Sequence, residues 1–88
     1  MKRVAIVDDQ FLTDLAYWVR VDRKTALRVI QLVEEVLRDP ESGRGNPERL
    51  RHFGAGMWSR RVSQEHRLVY EVAENAVRFA QCRFHYSG

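Results

Sequence analysis

The 88 residues make one domain, near the smallest size at which a single core holds without staples. A 44% hydrophobic content excludes general disorder, and a single cysteine excludes an internal disulfide and suits a reducing cytoplasm. The net charge of +3 is unevenly placed: residues 1 to 39 balance seven basic against seven acidic side chains, and residues 40 to 88 carry eight against five. Every cation after Lys24 is arginine, whose planar fork matches phosphate, so a polyanionic partner is favoured, although an acidic protein would use the same field.

In chain order, Arg3 to Val7 reads as a short strand, apolar enough to be internal. Its four apolar residues are too few for a signal-peptide core or a membrane span. Asp8 or Asp9 caps a first helix to about Arg20, with an apolar stripe of Phe11, Leu12, Leu15, Trp18 and Val19. Asp22 caps a second helix, with Ala26, Val29, Ile30, Val33, Val36 and Leu37 facing inward and Asp39-Pro40 as its stop. The two helices form a hairpin jointed near Val21.

Residues 40 to 56 hold both prolines and four of the five glycines, a loop long enough to signal function or disorder. Three strands follow, near residues 57 to 63, 66 to 73 and 76 to 85, with Glu74-Asn75 as a hairpin turn. A turn centred there puts Leu68, Tyr70 and Val72 on the core face with Val77, Phe79 and Gln81. The opposite face takes Arg67, Val69 and Glu71 with Arg78, Ala80 and Cys82. For Val62 to join the core face, the turn before Leu68 holds an odd number of residues. Arg61 and Arg67 are then neighbours on the open face, where an anion between them offsets their repulsion. Arg60 has core-face parity and has to escape at an edge or pair internally. The fold class is therefore α+β, ordered β-α-α-β-β-β, with a helical hairpin on one face of a mostly antiparallel sheet.

Arginines, an imidazole and a phenol on one small sheet are groups that bind and cleave a phosphodiester, and Glu48 adds a carboxylate. No metal-ligand spacing accompanies them: His52 and His66 with Cys82 make a poor zinc site, and Cys82 reads as a packed thiol. Taken singly, each residue has a plainer reading. Glu48 is a solvated loop residue, Arg60-Arg61 a salt-bridged pair, His85 an exposed terminal side chain, and Tyr86 a cover for the sheet edge.

The runs Gly43-Arg44-Gly45-Asn46-Pro47-Glu48-Arg49-Leu50, Trp58-Ser59-Arg60-Arg61-Val62, Glu65-His66-Arg67-Leu68-Val69-Tyr70 and Cys82-Arg83-Phe84-His85-Tyr86 together resemble the YoeB (Txe) toxins of the RelE-like superfamily. The resemblance is close from about residue 43 to 86, and looser over Tyr17-Trp18 and the second helix. It implies a single RelE-like toxin domain over residues 1 to 88. The implied activity is that of an endoribonuclease acting on ribosome-bound mRNA without a cofactor, held inactive by an antitoxin of the YefM/Phd type. By position it implies Glu48, Arg67, His85 and Tyr86 as catalytic groups, and Arg51 and Arg61 as phosphate- or ribosome-contacting groups. Arg51 stands where lysine is usual, and Ser87-Gly88 extend past the terminal tyrosine. A homodimer suits a domain of this size. A noncatalytic inhibitor that binds the ribosome, or a degenerate toxin that serves only as an antitoxin partner, are the alternatives.

Overall fold

The computed structural model describes residues 2–84. The chain runs through β1 (Val4–Val7), α1 (Asp9–Val21), α2 (Arg23–Arg38), β2 (Glu48–Arg49), a 3-10 turn (Arg51–Phe53), β3 (Met57–Arg61), β4 (Arg67–Val72) and β5 (Ala76–Gln81). The strands form one sheet in the order β1-β5-β4-β3-β2, antiparallel except for the β1–β5 pair. The expected α+β class holds, with one strand more than the β-α-α-β-β-β order allows.

The helices form where alternate turns carry apolar side chains. Phe11 and Trp18 of α1 and Ala26, Val29, Leu32, Val36 and Leu37 of α2 are buried against Leu68, Tyr70, Val77 and Phe79 of the sheet. The inward face is narrower than the sequence pattern suggests. Leu12, Val19 and Ile30 are about half exposed, and Leu32 takes the place expected of Ile30. Asp22 ends one helix and starts the next: its backbone N–H donates to the Trp18 carbonyl, while its side chain accepts from the Thr25 N–H and hydroxyl. Its pKa is lowered by these bonds, the Thr25 hydroxyl first. Asp8 occupies the N-cap position of α1 without a side-chain cap and instead pairs with Arg78.

Three expectations are overturned. β1 is an edge strand, not an internal one; Val4, Ile6 and Val7 stay exposed because only β5 flanks it. The region 40 to 56 is not all loop, since Glu48 and Arg49 pair with Ser59 and Trp58 and the 3-10 turn follows. The hairpin turn is centred as expected, with Val72 opposite Val77 and Tyr70 opposite Phe79, but an irregularity then shifts the register so that Val69 faces Gln81. This β-bulge moves Gln81 off the core face and returns the chain so that Cys82, just beyond β5, is buried in the core. Burial, with Asp14 nearby, pushes the Cys82 thiol up to about 12, as suits a packed and unreactive group.

Gly56 is required by the join between the 3-10 turn and β3. It has φ +81°, and a Cβ there would lie 2.8 Å from the Val72 carbonyl oxygen. The Val72 N–H donates to the Gly56 carbonyl across the same close approach.

Candidate nucleic-acid interface

Strand parity separates the two adjacent arginines of β3. Arg60 pairs with Leu68 and points into the helix side of the sheet; Arg61 pairs with Arg67 and points the other way. The β3–β4 turn has the odd residue count expected, because Val62 and Ser63 both donate to the His66 carbonyl and leave residues 63 to 65 between Val62 and His66.

Arg60 is fully buried and solves its inward parity by bonding. Its guanidinium donates to the Tyr70 hydroxyl at 3.2 Å and to the carbonyls of Arg44 at 3.2 Å, Asp39 at 2.6 Å and Ser42 at 2.7 Å. The Glu35 carboxylate lies 3.6 Å away. The Tyr70 hydroxyl donates to the Pro40 carbonyl at 2.7 Å, and burial pushes its phenol up despite the opposing pull of Arg60. Glu35 in turn accepts from Arg44 Nε at 2.5 Å. Burial works against its charge, but the bonds from Arg44 prevail and hold the carboxyl below its ordinary value. One buried cation thus ties the loop from Asp39 to Arg44 onto β3. The Arg61 N–H extends the attachment by donating to the Gly45 carbonyl at 2.6 Å.

That anchored loop delivers β2, and with it Glu48, to the open side of the sheet. Glu48 stands opposite Ser59, and Ser59 opposite Val69, on the face that also carries Arg61 and Arg67. Ser59 and Val69 are fully buried beneath this surface. The Ser59 hydroxyl accepts from Arg67 Nε at 2.9 Å, which sets the plane of the guanidinium. Arg67 Nη2 then lies 3.7 Å from Glu48 Oε1, an ion-pair distance longer than a hydrogen bond, and among the described residues it has no hydrogen-bond partner. The Arg67 side chain is mostly buried and that of Glu48 is 63% exposed. A fixed cation with an unused donor faces a solvent-reachable carboxylate.

Glu48, Arg61 and Arg67 are therefore brought together. Arg61 and Arg51 are exposed, and among the described residues neither side chain makes an ion pair. Arg51 lies on the 3-10 turn just beyond β2, with no hydrogen bond linking it to the other three. His85 and Tyr86 lie outside the described residues. Sequence reasoning overlooked Ser59, although it has the parity of Arg61 and Arg67. His66, which the sequence pattern gave only as part of a poor zinc set, packs against α1: its ring lies edge-on to Trp18 with centroids 4.8 Å apart.

The family model that matches residues 7–86 is described as "YoeB-like toxin of bacterial type II toxin-antitoxin system". The chain belongs to this family. Among its relatives, Toxin YoeB of Mycobacterium bovis is 47% identical over 73 residues, covering 83% of this chain and 86% of the relative. The fold matches the YoeB/ParE toxin from Agrobacterium tumefaciens with a TM-score of 0.88 at 35% identity, over 94% of this chain and 99% of the other. YoeB from Staphylococcus aureus has been solved as a dimer, matching with a TM-score of 0.87 at 32% identity over 98% of this chain and 100% of the other. It has also been solved as a heterotetrameric YoeB-YefM complex, TM-score 0.83. The α+β architecture of this YoeB-like toxin is thus that of its family, and among the described residues no helix is long and apolar enough to cross a membrane.

Proposed function

We propose that this toxin is a cytoplasmic endoribonuclease that cuts mRNA in the ribosomal A site and so arrests translation. The observation that carries the reading is the Arg67 guanidinium, locked by Ser59 with Nη2 unbonded, beside Glu48 and directly across from Arg61. A donor held this way lacks only an acceptor oxygen, which a phosphate supplies.

RNA carries its own nucleophile. Glu48 accepts the proton of a 2′-OH; the freed oxygen attacks the adjacent phosphorus; the bond from phosphorus to the 5′ oxygen breaks. His85 gives that leaving oxygen its proton. The products are a 2′,3′-cyclic phosphate and a 5′-OH. Arg67 and Arg61 take the charge that builds on the nonbridging oxygens. Tyr86 stacks on a base or orients the phosphate, and Arg51 holds the neighbouring backbone. An acid or base contributes about 10²–10⁴-fold, so alignment of the 2′-OH supplies much of the rest. The ribosome provides part of that alignment, and free RNA is a poor substrate.

We infer a YefM-type antitoxin as the inhibitor of this single-domain toxin, and homodimer formation, as in the Staphylococcus aureus structures. The exposed Leu12, Val19, Leu27 and Ile30 support a protein partner on the helical side.

The test is to add purified protein to programmed ribosomes and map the mRNA ends. Glu48→Gln and His85→Gln are expected to abolish cutting while ribosome binding persists. Inhibition without any cut in the wild type, unchanged in both variants, refutes the nuclease reading in favour of a noncatalytic blocker.

A further inference from the structure

The segment leading to His85 is held by contacts that the proposed chemistry does not use. Phe84 has φ 66°, a left-handed backbone that phenylalanine seldom adopts. Such a conformation persists where its surroundings over-determine it, and functional sites are where such residues cluster. Both peptide groups of Phe84 are engaged. Its N–H donates to His66 Nδ1 at 2.7 Å, and its carbonyl accepts from the Arg67 N–H at 3.2 Å. A backbone N–H only donates, so His66 Nδ1 is the acceptor and, in the neutral ring, the proton stands on Nε2.

The His66 ring is itself wedged, edge-on to Trp18 and tilted against Phe84 with centroids 5.7 Å apart. The preceding residues are fixed from α1. Trp18 Nε1 donates to the Cys82 carbonyl at 2.9 Å, Asp14 Oδ2 accepts from the Cys82 N–H at 3.0 Å, and the Arg83 guanidinium lies 3.5 Å over the Tyr17 ring. These contacts stop at Arg83. At Phe84, the last residue before His85, the N–H donates to the His66 side chain, and the carbonyl accepts from the N–H of Arg67, the candidate clamp.

We propose that His66 is a positioning residue: its Nδ1 holds Phe84 in the left-handed conformation and so registers Phe84 against Arg67. The catalytic consequence rests on the nuclease reading of His85, while the latch itself is measurable without it.

Two variants separate the ring from the acceptor. His66→Phe keeps the packing against Trp18 and Phe84 and deletes the acceptor. His66→Asn deletes the ring and offers an amide oxygen near the place of Nδ1. In the programmed-ribosome assay His66→Phe is expected to lower kcat about 10²-fold, the scale of a misplacement near 1 Å, with KM little changed. His66→Asn is expected to recover most of that loss. By amide exchange in full-length protein, Phe84 loses protection about tenfold in His66→Phe and keeps it in His66→Asn. Wild-type kcat and protection in His66→Phe overturn the proposal, as does a His66→Asn variant no better than His66→Phe. If the wild type cuts no mRNA, the nuclease reading fails alone, and Phe84 exchange still decides the latch.

Discussion

Replacing Arg60 by Met is the sharpest test of how this fold presents its site. The substitution keeps much of the volume and removes a guanidinium that is fully buried among the carbonyls of Asp39, Ser42 and Arg44, the Tyr70 hydroxyl and the Glu35 carboxylate. Removing one partner of a buried charge network typically costs about 3–5 kcal/mol, because the groups left behind lose their bonds and not merely their attraction. A domain of this size has a total stability of roughly 4–13 kcal/mol. Each kcal/mol shifts Tm by about 4–8 °C, so a fall on the order of 12–40 °C is expected. The carbonyls belong to a surface loop and can reach water when it opens, which places the cost toward the lower end. The loop then detaches from β3, and Glu48, which follows it, loses its setting beside Arg67. The assay is urea and thermal unfolding of Arg60→Met and Arg60→Lys, with amide exchange across residues 39 to 46. Lysine keeps the charge but has no fork to reach several carbonyls at once, so it is expected to recover only part of the loss. A Met variant within about 1 kcal/mol of wild type, with the loop equally protected, refutes the reasoning.

Three further outcomes are expected. Tyr70→Phe removes the acceptor for Arg60 Nε and the donor to the Pro40 carbonyl, and denaturant titration is expected to show a loss of about 1–3 kcal/mol with an unchanged m-value. Glu35 has its folded pKa below the ordinary 4.5, so its contribution is fully present above that pH and is lost as the pH falls through the lowered value. Glu35→Gln should therefore be less stable than wild type at neutral pH and flatter in its acid-unfolding profile; identical slopes below pH 4.5 would sink the assignment. With the Cys82 thiol at about 12, a thiolate-selective reagent at pH 8 should label the native protein on the order of 10³-fold more slowly than the urea-unfolded chain, and rates within tenfold would contradict the burial.

The parts of the fold that local chemistry dictates were legible in the sequence. Asp22 marks the helix joint because a carboxylate there can bond the Thr25 N–H, and Glu74-Asn75 centres the hairpin. Period-two alternation from there sent Arg60 inward and set Arg61 against Arg67. What failed was non-local. Nothing in Glu48-Arg49 marks a strand, since two polar residues become one only by pairing with Ser59 and Trp58. The run Val4 to Val7 looks like an internal strand, yet its position at the edge follows from the parallel pairing with β5. The bulge between Val69 and Tyr70 has no glycine or other local signal, and it reverses the faces assigned to Gln81 and Cys82. For the site, the Glu48–Arg67 approach depended on β2 and was readable only through the family resemblance. The Arg61–Arg67 pairing followed from parity alone.

Parity also explains why an arginine pair is useful here. Consecutive residues of one strand point to opposite faces, so Arg60 and Arg61 do separate tasks from one segment of backbone. Inward, Arg60 gathers three carbonyls of the loop that leads to Glu48. Outward, Arg61 adds charge beside Arg67, and among the described residues its side chain makes no ion pair. The like-charge repulsion across β3 and β4 is a standing cost that a bound phosphate would relieve, and it is greatest where Ser59 has fixed Arg67 in place. A one-residue slip of β3 against β4 would exchange the two roles, burying Arg61 without acceptors and releasing the loop. The same register that stabilises the fold therefore assembles the cationic face, and a variant cannot lose one without weakening the other.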